Sequence, residues 1–517
     1  MFRNNKSFAS SVAGASIILA LISVLSKGFG FFREILYANT FGLSTQFDLF
    51  LVSAAIPFTI NTAVIYIGQH YFIPTYHKLK KESDLKAINF LNTSFYLFIL
   101  GGILLITILG IFSETIMEVF VTNQSADIKH LSMNLFLLFL ITIPLNAGVS
   151  ILSSYMQSEY RFTLPAVAQL LVNLTIIIMI IIFNNSINIY VLPVSFILGN
   201  FIAFIVLIIS LSKDLKFFTF EHFKTIKINQ SKVLSTLIII EFISLSYPIV
   251  DRYFYDVIPS GGIAALNYAL TVYSMPVSIF TMALITAIFP KFAEQANENR
   301  DELVLALKKG ININIFIIAP ITAILVFKGY DLIKMFYERG QFNSVDTRMT
   351  EMVLIYYSIS LIFYSTYLLS IKVLYSLSMH LWVLILSLTG FIIKIILNLL
   401  IVNTFYQNGL ALSTSLVFII LFLSGFYISS KKLKINLNIL CFKSIIYSLV
   451  NVITAYSITQ LLIKLFGTTG LFEFVSEIII FSIIYIINSY LISSEDLKMA
   501  TEIFKNYLPF SWREVQD

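Results

Sequence analysis

The chain contains one cysteine, Cys441, among its 517 residues, which excludes a disulfide framework. Charge is nearly as scarce. Only 12% of the residues are Asp, Glu, Lys or Arg and 58% are hydrophobic, whereas a soluble chain carries roughly 25% charged residues. Several soluble domains are thereby excluded, and a polytopic membrane protein is expected. No Gly-rich loop ends in Gly-Lys-Ser or Gly-Lys-Thr, and no Ser and His stand together beside an acid. The five histidines, His70, His77, His130, His222 and His380, are scattered. Phosphate-loop nucleotide hydrolysis, metal ligation and nucleophilic catalysis therefore lack their residues. No enzyme, catalytic residue, metal site or resident cofactor is expected. The formal charge of +6 arises from 34 Lys plus Arg against 28 Asp plus Glu. Because these charges cluster in loops, they bear on topology and anionic lipid headgroups and give no support to a nucleic-acid partner.

What the chain does contain is apolar runs of membrane-crossing length, about 20 residues each. They lie at roughly 10–32, 48–69, 90–110, 131–155, 164–183, 190–211, 233–255, 265–288, 311–328, 353–375, 382–402, 408–430, 443–465 and 472–493. The expected fold is all-α and integral to the membrane, with about 14 transmembrane helices. Arg3 and Lys6 precede the first run as in a signal peptide, but no small-residue cleavage site leads into a soluble domain, so a retained first span is expected. Basic residues then fix orientation. Lys78, Lys80, Lys81 and Lys86 follow the second span; Lys213, Lys216, Lys224, Lys227 and Lys232 the sixth; Lys291, Arg300, Lys308 and Lys309 the eighth; Lys431, Lys432 and Lys434 the twelfth. These loops are assigned to the cytoplasm, and both termini with them. Cys441 falls in a segment read as cytoplasmic or just inside the membrane.

The most informative stretch runs from Val12 to Pro74. Lys27, Arg33, Glu34 and Asp48 interrupt or flank two apolar runs, and ionisable groups at such places need a bundle interior or an aqueous cavity. Their plainer reading is as headgroup anchors at helix ends. The stretch has an echo: Arg33 precedes Pro57 by 24 residues and Arg252 precedes Pro276 by the same 24. Two pseudo-symmetric six-helix lobes follow, residues 1–232 and 233–434, with two further helices and a tail in 435–517. Helix-breaking residues at matching positions point toward the binding region of such carriers. Gly28, Gly30, Pro57, Gly68 and Pro276 are accordingly the candidate break and gating positions. The last two spans, with Lys464, Glu473 and Glu477, are open between an oligomer contact, a lipid-facing brace and a site for a long lipid tail. The stretch from Ser493 to Asp517, with Trp512, is read as an interfacial tail.

The intramembrane charge set is Lys27, Arg33, Asp48, Glu241, Asp251, Arg252, Lys372 and Lys394. Bases facing a cavity suit a phosphate or diphosphate, since guanidinium donors match phosphate oxygens and low dielectric strengthens the pairing. Lys27, Arg33 and Arg252 are the candidate diphosphate-binding residues. Asp48, Glu241, Asp251, Lys372 and Lys394 are candidate cavity or coupling residues, the acids offering sites for a monovalent cation or a proton. Asp251 beside Arg252 is equally readable as a local ion pair.

Gly28-Phe29-Gly30-Phe31-Phe32-Arg33-Glu34, Phe41-Gly42, Asp48-Leu49-Phe50, Ile56-Pro57, Gly68 and Phe72-Ile73-Pro74 resemble the amino-terminal signature of the MurJ/MviN family of lipid-linked oligosaccharide flippases. Asp251, Ser260-Gly261, Tyr268-Ala269, Pro276, Phe289-Pro290, Phe336-Tyr337-Glu338-Arg339-Gly340-Gln341-Phe342, Asn398 and Gly409-Leu410-Ala411 continue the likeness in order. The chain departs from it at Asn61 and Thr62 and at Leu270 and Thr271, where the family carries charged residues. The resemblance implies an inner-membrane carrier with two six-helix lobes around a cationic cavity. Its implied cargo is an undecaprenyl-diphosphate-linked glycan, lipid II or a related cell-surface intermediate, moved from inner to outer leaflet by alternating access. The implied partners are that glycolipid and membrane lipids, with envelope-synthesis proteins as further candidates. A cation-coupled exporter of the same superfamily would instead need an acidic cavity, and a nontransporting scaffold would make the cavity charges dispensable.

Overall fold

The computed structural model describes residues 12–211, 232–434, 437–466 and 471–492. The expected Lys213–Lys227 loop, the first 11 residues and the tail bearing Trp512 lie outside these, as do the side chains of Cys441 and Glu473. All described elements are helical, and among the described residues there is no strand. Hydrocarbon offers no hydrogen bonds, so each span must satisfy its own backbone, which a helix does.

The element order repeats once. In the first half, α2 (Thr45–Ile67), a π-helical turn (Gly68–Phe72) and α3 (Ile73–Glu82) form one long helix. In the second, α12 (Gly262–Pro276), a π-helical turn (Val277–Thr281) and α13 (Met282–Glu298) do the same. Each is followed, after one extended residue, by a helix of 28 residues, α4 (Asp84–Ile111) and α14 (Arg300–Phe327). The pattern continues with short α5 (Ser113–Glu118) and α15 (Gly329–Tyr337). Next come α6 (Ala126–Leu140) and α16 (Ser344–Ser358), 15 residues each. Then α7 (Thr142–Ser158) pairs with α17 (Leu361–Ser376). Even the unusual backbone angles recur: Tyr160 and Ser378 both have φ 58°, and Asn188 and Tyr406 have φ 48° and 49°.

Ten described helical stretches have the length and apolarity of a membrane span, or eleven if α16 and α17, bent by 44°, count as one. The sequence reading expects fourteen, and part of the difference lies in two hairpins. Thr163–Ser210, 48 residues, comprises α8 (Thr163–Ile187) and α9 (Val191–Ser210), and α18 (His380–Leu433) has 54 residues. Straight helices of that length would run about 70–80 Å, more than twice the roughly 30 Å hydrocarbon core. Each instead folds back at its left-handed residue, Asn188 or Tyr406. The remainder of the difference includes α1 (Val12–Phe41), a 30-residue helix whose first side chains lie outside the described ones.

By compactness the chain forms two units, one holding residues up to Ala265 with Tyr337–Asp346, the other Leu266–Phe336 and Thr347 onward. The expected lobe boundary lies at 232/233, yet α10 (Lys232–Leu245) and α11 (Tyr247–Arg252) group with the first unit. They pack on α2, and Thr59 Oγ1 donates to the Leu245 carbonyl at 3.3 Å. In the second unit, α19 (Leu437–Phe466) and α20 (Leu471–Ile492) pack on α14. Polar pins fix them there: Ser444 to Asn312 at 2.8 Å, Tyr485 OH to the Phe316 carbonyl at 3.0 Å, and Lys328 to Glu477 at 2.5 Å.

Candidate functional site

Arg33 sits on α1 where that helix packs against α8. Its Nη2 donates to Glu34 Oε1 at 2.8 Å and its Nη1 to Asn173 Oδ1 at 3.1 Å. The guanidinium carbon lies 5.5 Å from the Tyr37 ring centre and 5.7 Å from that of Phe196. Those rings belong to an aromatic cluster in which Phe58 and Phe196 centre 4.9 Å apart and Phe50 and Phe139 5.5 Å apart. Cation–π contacts of this kind reach about 2 kcal/mol when desolvated, and the collar orients the fork. The side chain nevertheless keeps 23% of its surface exposed, while its Nε is buried without a hydrogen-bond partner. The result is an oriented guanidinium, partly offset by Glu34 and partly exposed. Such a group is fitted to a phosphate oxygen.

The other expected bases stand differently. Lys27 is exposed on α1, about 9 Å along the axis from Arg33 and roughly 120° around it, since they are six residues apart. Arg252 is half-buried at the end of α11. Gly28 and Gly30 do not break α1, which runs through them, and a Cβ at either would meet nothing within 4 Å. Nor does Pro57 break α2. The departures from regular α-helix come at the π-helical turns, one beginning at Gly68 and one directly after Pro276. Gly68 is there because its Cβ would stand 2.1 Å from Ser150 Oγ.

Asp48 is fully buried, and it caps a helix. Its Oδ2 accepts the Gly261 amide at 2.6 Å and its Oδ1 the Ala264 amide at 2.7 Å. These are donors at the start of α12 that have no partner within the helix. Around this cap, three distant segments of the first unit touch by backbone. Gln341 N donates to the Asn39 carbonyl at 2.9 Å, and the Thr45 and Ser260 hydroxyls lie 2.6 Å apart. Gly261 and Gly340 adopt φ of +83° and +59°, and a Cβ would lie 2.5 Å from Leu43 O in one and 2.2 Å from Asn39 O in the other. Only glycine combines that φ with so close an approach. Asp256 extends the clasp by accepting the Asn123 amide and the Gln124 side chain, both at 2.8 Å. The motif residues near Phe41-Gly42, Asp48, Ser260-Gly261 and Gly340 thus form one device, which sequence separation had concealed.

Of the remaining expected residues, Glu241 is half-buried on α10 and Asp251 is buried on α11. Lys372 on α17 lies 5.7 Å from the Phe289 ring centre and 5.6 Å from that of Tyr375. Lys394 is fully buried within α18. A cavity of about 320 Å³ lies in the first unit between α2, α7, α8 and α9, lined by neutral groups including Gln69, Asn146, Ser150, Gln157, Gln169 and Asn200. Asn61, one of the departures from the family pattern, is buried and donates to Thr142 Oγ1 at 2.8 Å. Sequence reasoning did not anticipate Asn173 as the partner of Arg33; its only signal was an amide within an otherwise apolar run.

Repeated sets of membrane-length helices, each with a π-helical turn within its long broken helix, and an oriented intramembrane guanidinium define a multi-pass helical carrier. The chain belongs to the lipid II flippase MurJ family, whose model matches residues 37–482, and the motif resemblance is confirmed. A probable lipid II flippase MurJ of Borreliella burgdorferi is 26% identical over 435 residues, covering 82% of this chain and 84% of that protein. The lipid II flippase MurJ of Thermosipho africanus is 25% identical, covering 69% of this chain and 73% of its own length. Among solved structures, a lipid II flippase MurJ in an inward closed conformation matches with a TM-score of 0.77 at 24% identity, over 92% of this chain and 98% of that one. An inward-facing MATE family multidrug resistance transporter of the MOP superfamily matches at 0.66 and 12% identity, over 81% and 98%. These structural likenesses show the shared fold.

Proposed function

We propose that this protein moves lipid II, the undecaprenyl-diphosphate-linked peptidoglycan precursor, from the inner to the outer leaflet of the bacterial cytoplasmic membrane by alternating access. The observation that carries the reading, within a family of lipid II flippases, is Arg33: a collared, oriented and partly exposed guanidinium on an apolar helix. A diphosphate entering hydrocarbon depth loses its hydration, and a fixed fork of donors replaces part of it. Lys27 and Arg252 are the further bases assigned to the cargo. No resident cofactor is involved. An exporter of organic cations would need an acidic cavity; the cavity of about 320 Å³ in the first unit is lined by neutral groups, and Asp48 is taken up by the α12 amides.

Both termini and the loop around Lys224 are assigned to the cytoplasm by the alternating basic loops, which puts the Asp48 clasp on the outer side. Outward movement of an anionic cargo is favoured by an inside-negative potential, at about 2.3 kcal/mol per charge per 100 mV. The competing scheme couples resetting to a cation or proton at Glu241 or Asp251.

The test is lipid II flipping in reconstituted vesicles. Arg33→Ala should lower the rate at least tenfold at normal insertion, and Arg33→Lys should keep part of it, since charge survives but the bidentate fork is lost. Near-normal flipping by Arg33→Ala at wild-type abundance would remove Arg33 from the cargo site. Clamping the potential at equal pH and sodium on both sides separates the coupling schemes, because a rate insensitive to potential counts against electrophoretic drive.

A further inference from the structure

Lys394 lies in the first arm of α18 with no exposed surface. Its ammonium donates to the Leu410 main-chain carbonyl at 2.9 Å, to Ser413 Oγ at 3.0 Å and to Thr414 Oγ1 at 2.5 Å, all on the returning arm. Asn398, one turn beyond Lys394, is equally buried, and its Oδ1 accepts from Ser413. Thr414 also donates back to Leu410 O at 2.9 Å, and Ser413 Oγ lies 2.8 Å from the same carbonyl, its single proton shared between that oxygen and Asn398. Two helices therefore gather a main-chain carbonyl, two hydroxyls and, behind them, an amide oxygen around one unit of positive charge.

Oxygens of this kind, carbonyl, hydroxyl and amide, form the ligand sets of hard cations. An ammonium supplies the same single charge with three donors. Joining two apolar arms does not require it, because burying an ammonium costs several kcal/mol before its contacts are counted, and smaller neutral side chains would join them more cheaply. We propose that the Lys394 ammonium is a tethered cation: it permanently occupies an oxygen cage of the chemistry that would otherwise bind a small monovalent cation. The α18 hairpin is then always in its cation-loaded form and draws no Na⁺, K⁺ or Li⁺ from solution at this position. The cage is filled whichever cargo the carrier moves.

The experiment uses the purified full chain in detergent and reads thermal midpoints in NaCl, KCl, LiCl and choline chloride at equal ionic strength. The wild type should melt alike in all four. Lys394→Asn vacates the cage while adding an oxygen, so its midpoint should fall in choline and rise saturably, by about 3 °C or more, in one of the alkali salts. Adding Ser413→Ala and Thr414→Val should abolish that rise. Lys394→Met, which keeps length without charge, should melt low in every salt. The proposal is overturned if Lys394→Asn melts identically in the four salts, or if its alkali response survives loss of both hydroxyls. A saturable alkali response of the wild type that loss of those hydroxyls removes overturns it as well. Should Lys394→Asn yield no folded protein in choline, recovery of monodisperse protein in one alkali salt supports the proposal. Failure in all three alkali salts, with Lys394→Gln failing likewise, refutes it.

Discussion

Replacing Asp48 by Ala is the sharpest perturbation of the clasp. The carboxylate accepts two amides at 2.6 and 2.7 Å at the start of α12. Losing an N-cap acceptor costs about 0.5–2 kcal/mol, and each buried amide left unpaired costs about 1–3 kcal/mol. Because these figures overlap, the expected loss for the cap is about 2–5 kcal/mol. Global melting is a poor gauge of so local a change in a chain of 517 residues. Hydrogen exchange reads it directly, because protection of an amide reports the free energy of its own opening. Exchange over residues 261–265 should accelerate by about 30-fold to several thousand-fold, at about 1.4 kcal/mol per tenfold. Asp48→Asn keeps one acceptor but turns its NH₂ toward an amide donor and gives up the charge–dipole attraction, so a loss of about 1–3 kcal/mol is expected. The order wild type, Asn, Ala should appear in those amides while exchange in α19 and α20 stays unchanged. Equal exchange in all three proteins would refute the assignment of Asp48 as the cap of α12.

Gly340→Ala would place a Cβ 2.2 Å from the Asn39 carbonyl and impose a left-handed backbone costing about 1–2 kcal/mol; Gln341 should lose its protection, and an unchanged exchange rate there would disprove the close approach. Burial raises the Glu159 carboxyl, but hydrogen bonds from Lys80 and Tyr76 outweigh it and hold the group below its ordinary 4.5. A depressed acid contributes stability that is complete above pH 4.5 and is lost as pH falls through the folded value, so the wild type should lose melting temperature below 4.5 more steeply than Glu159→Gln; parallel curves would contradict this. Glu477→Ala leaves Lys328, 21% exposed, without its carboxylate, and breaking a buried pair costs about 3–5 kcal/mol. Release of α19 and α20 should show as protease or exchange sensitivity there, and Lys328→Met with Glu477→Leu should restore most of it; if the double variant is no better than the single, the pair is not what pins these helices.

Span positions were legible because hydrocarbon imposes a length and composition that any apolar window displays; the ends of the spans were not. α2 continues as one helix through its π-turn to Glu82, since the polar run Thr75–Glu82 is as helical in water as the apolar part is in lipid. Asp48 illustrates a different limit. An acid beside an apolar run reads as functional, whereas its partner is a helix that opens on Ser260, Gly261 and Gly262, where the nearby Ser260 and Asp256 are engaged by Thr45 and by Asn123 and Gln124 instead. Such a start needs an acceptor from elsewhere, but which acceptor is a matter of tertiary contact across more than two hundred residues. Arg33 was legible as a base, yet its collar of Tyr37 and Phe196 and its partner Asn173 were not, being drawn from three helices.

The internal repeat shows most clearly where information resides in this chain. The Arg-to-Pro echo was visible because proline and charge are rare in apolar runs. The closer correspondence, between Asn188 and Tyr406 with φ of 48° and 49° and ψ of −136° and −131°, involves residue types that share nothing. Neither is glycine, and so sparsely populated a positive-φ backbone costs each about 1–3 kcal/mol. Such strain persists only where the surroundings over-determine it, and here the over-determination comes from two apolar arms that must pack together and return across the same layer. In the second hairpin the arms are further joined by Lys394 to Leu410, Ser413 and Thr414, sixteen to twenty residues away in sequence, a set that a straight helix would hold about 24–30 Å apart. The run Ser413-Thr414-Ser415 within an apolar arm was the one sequence signal that a buried cation needed oxygens there. Reversal geometry in a membrane hairpin is thus set by the arms and their buried polar joints more than by the residue at the turn, which is why turn chemistry alone did not locate it.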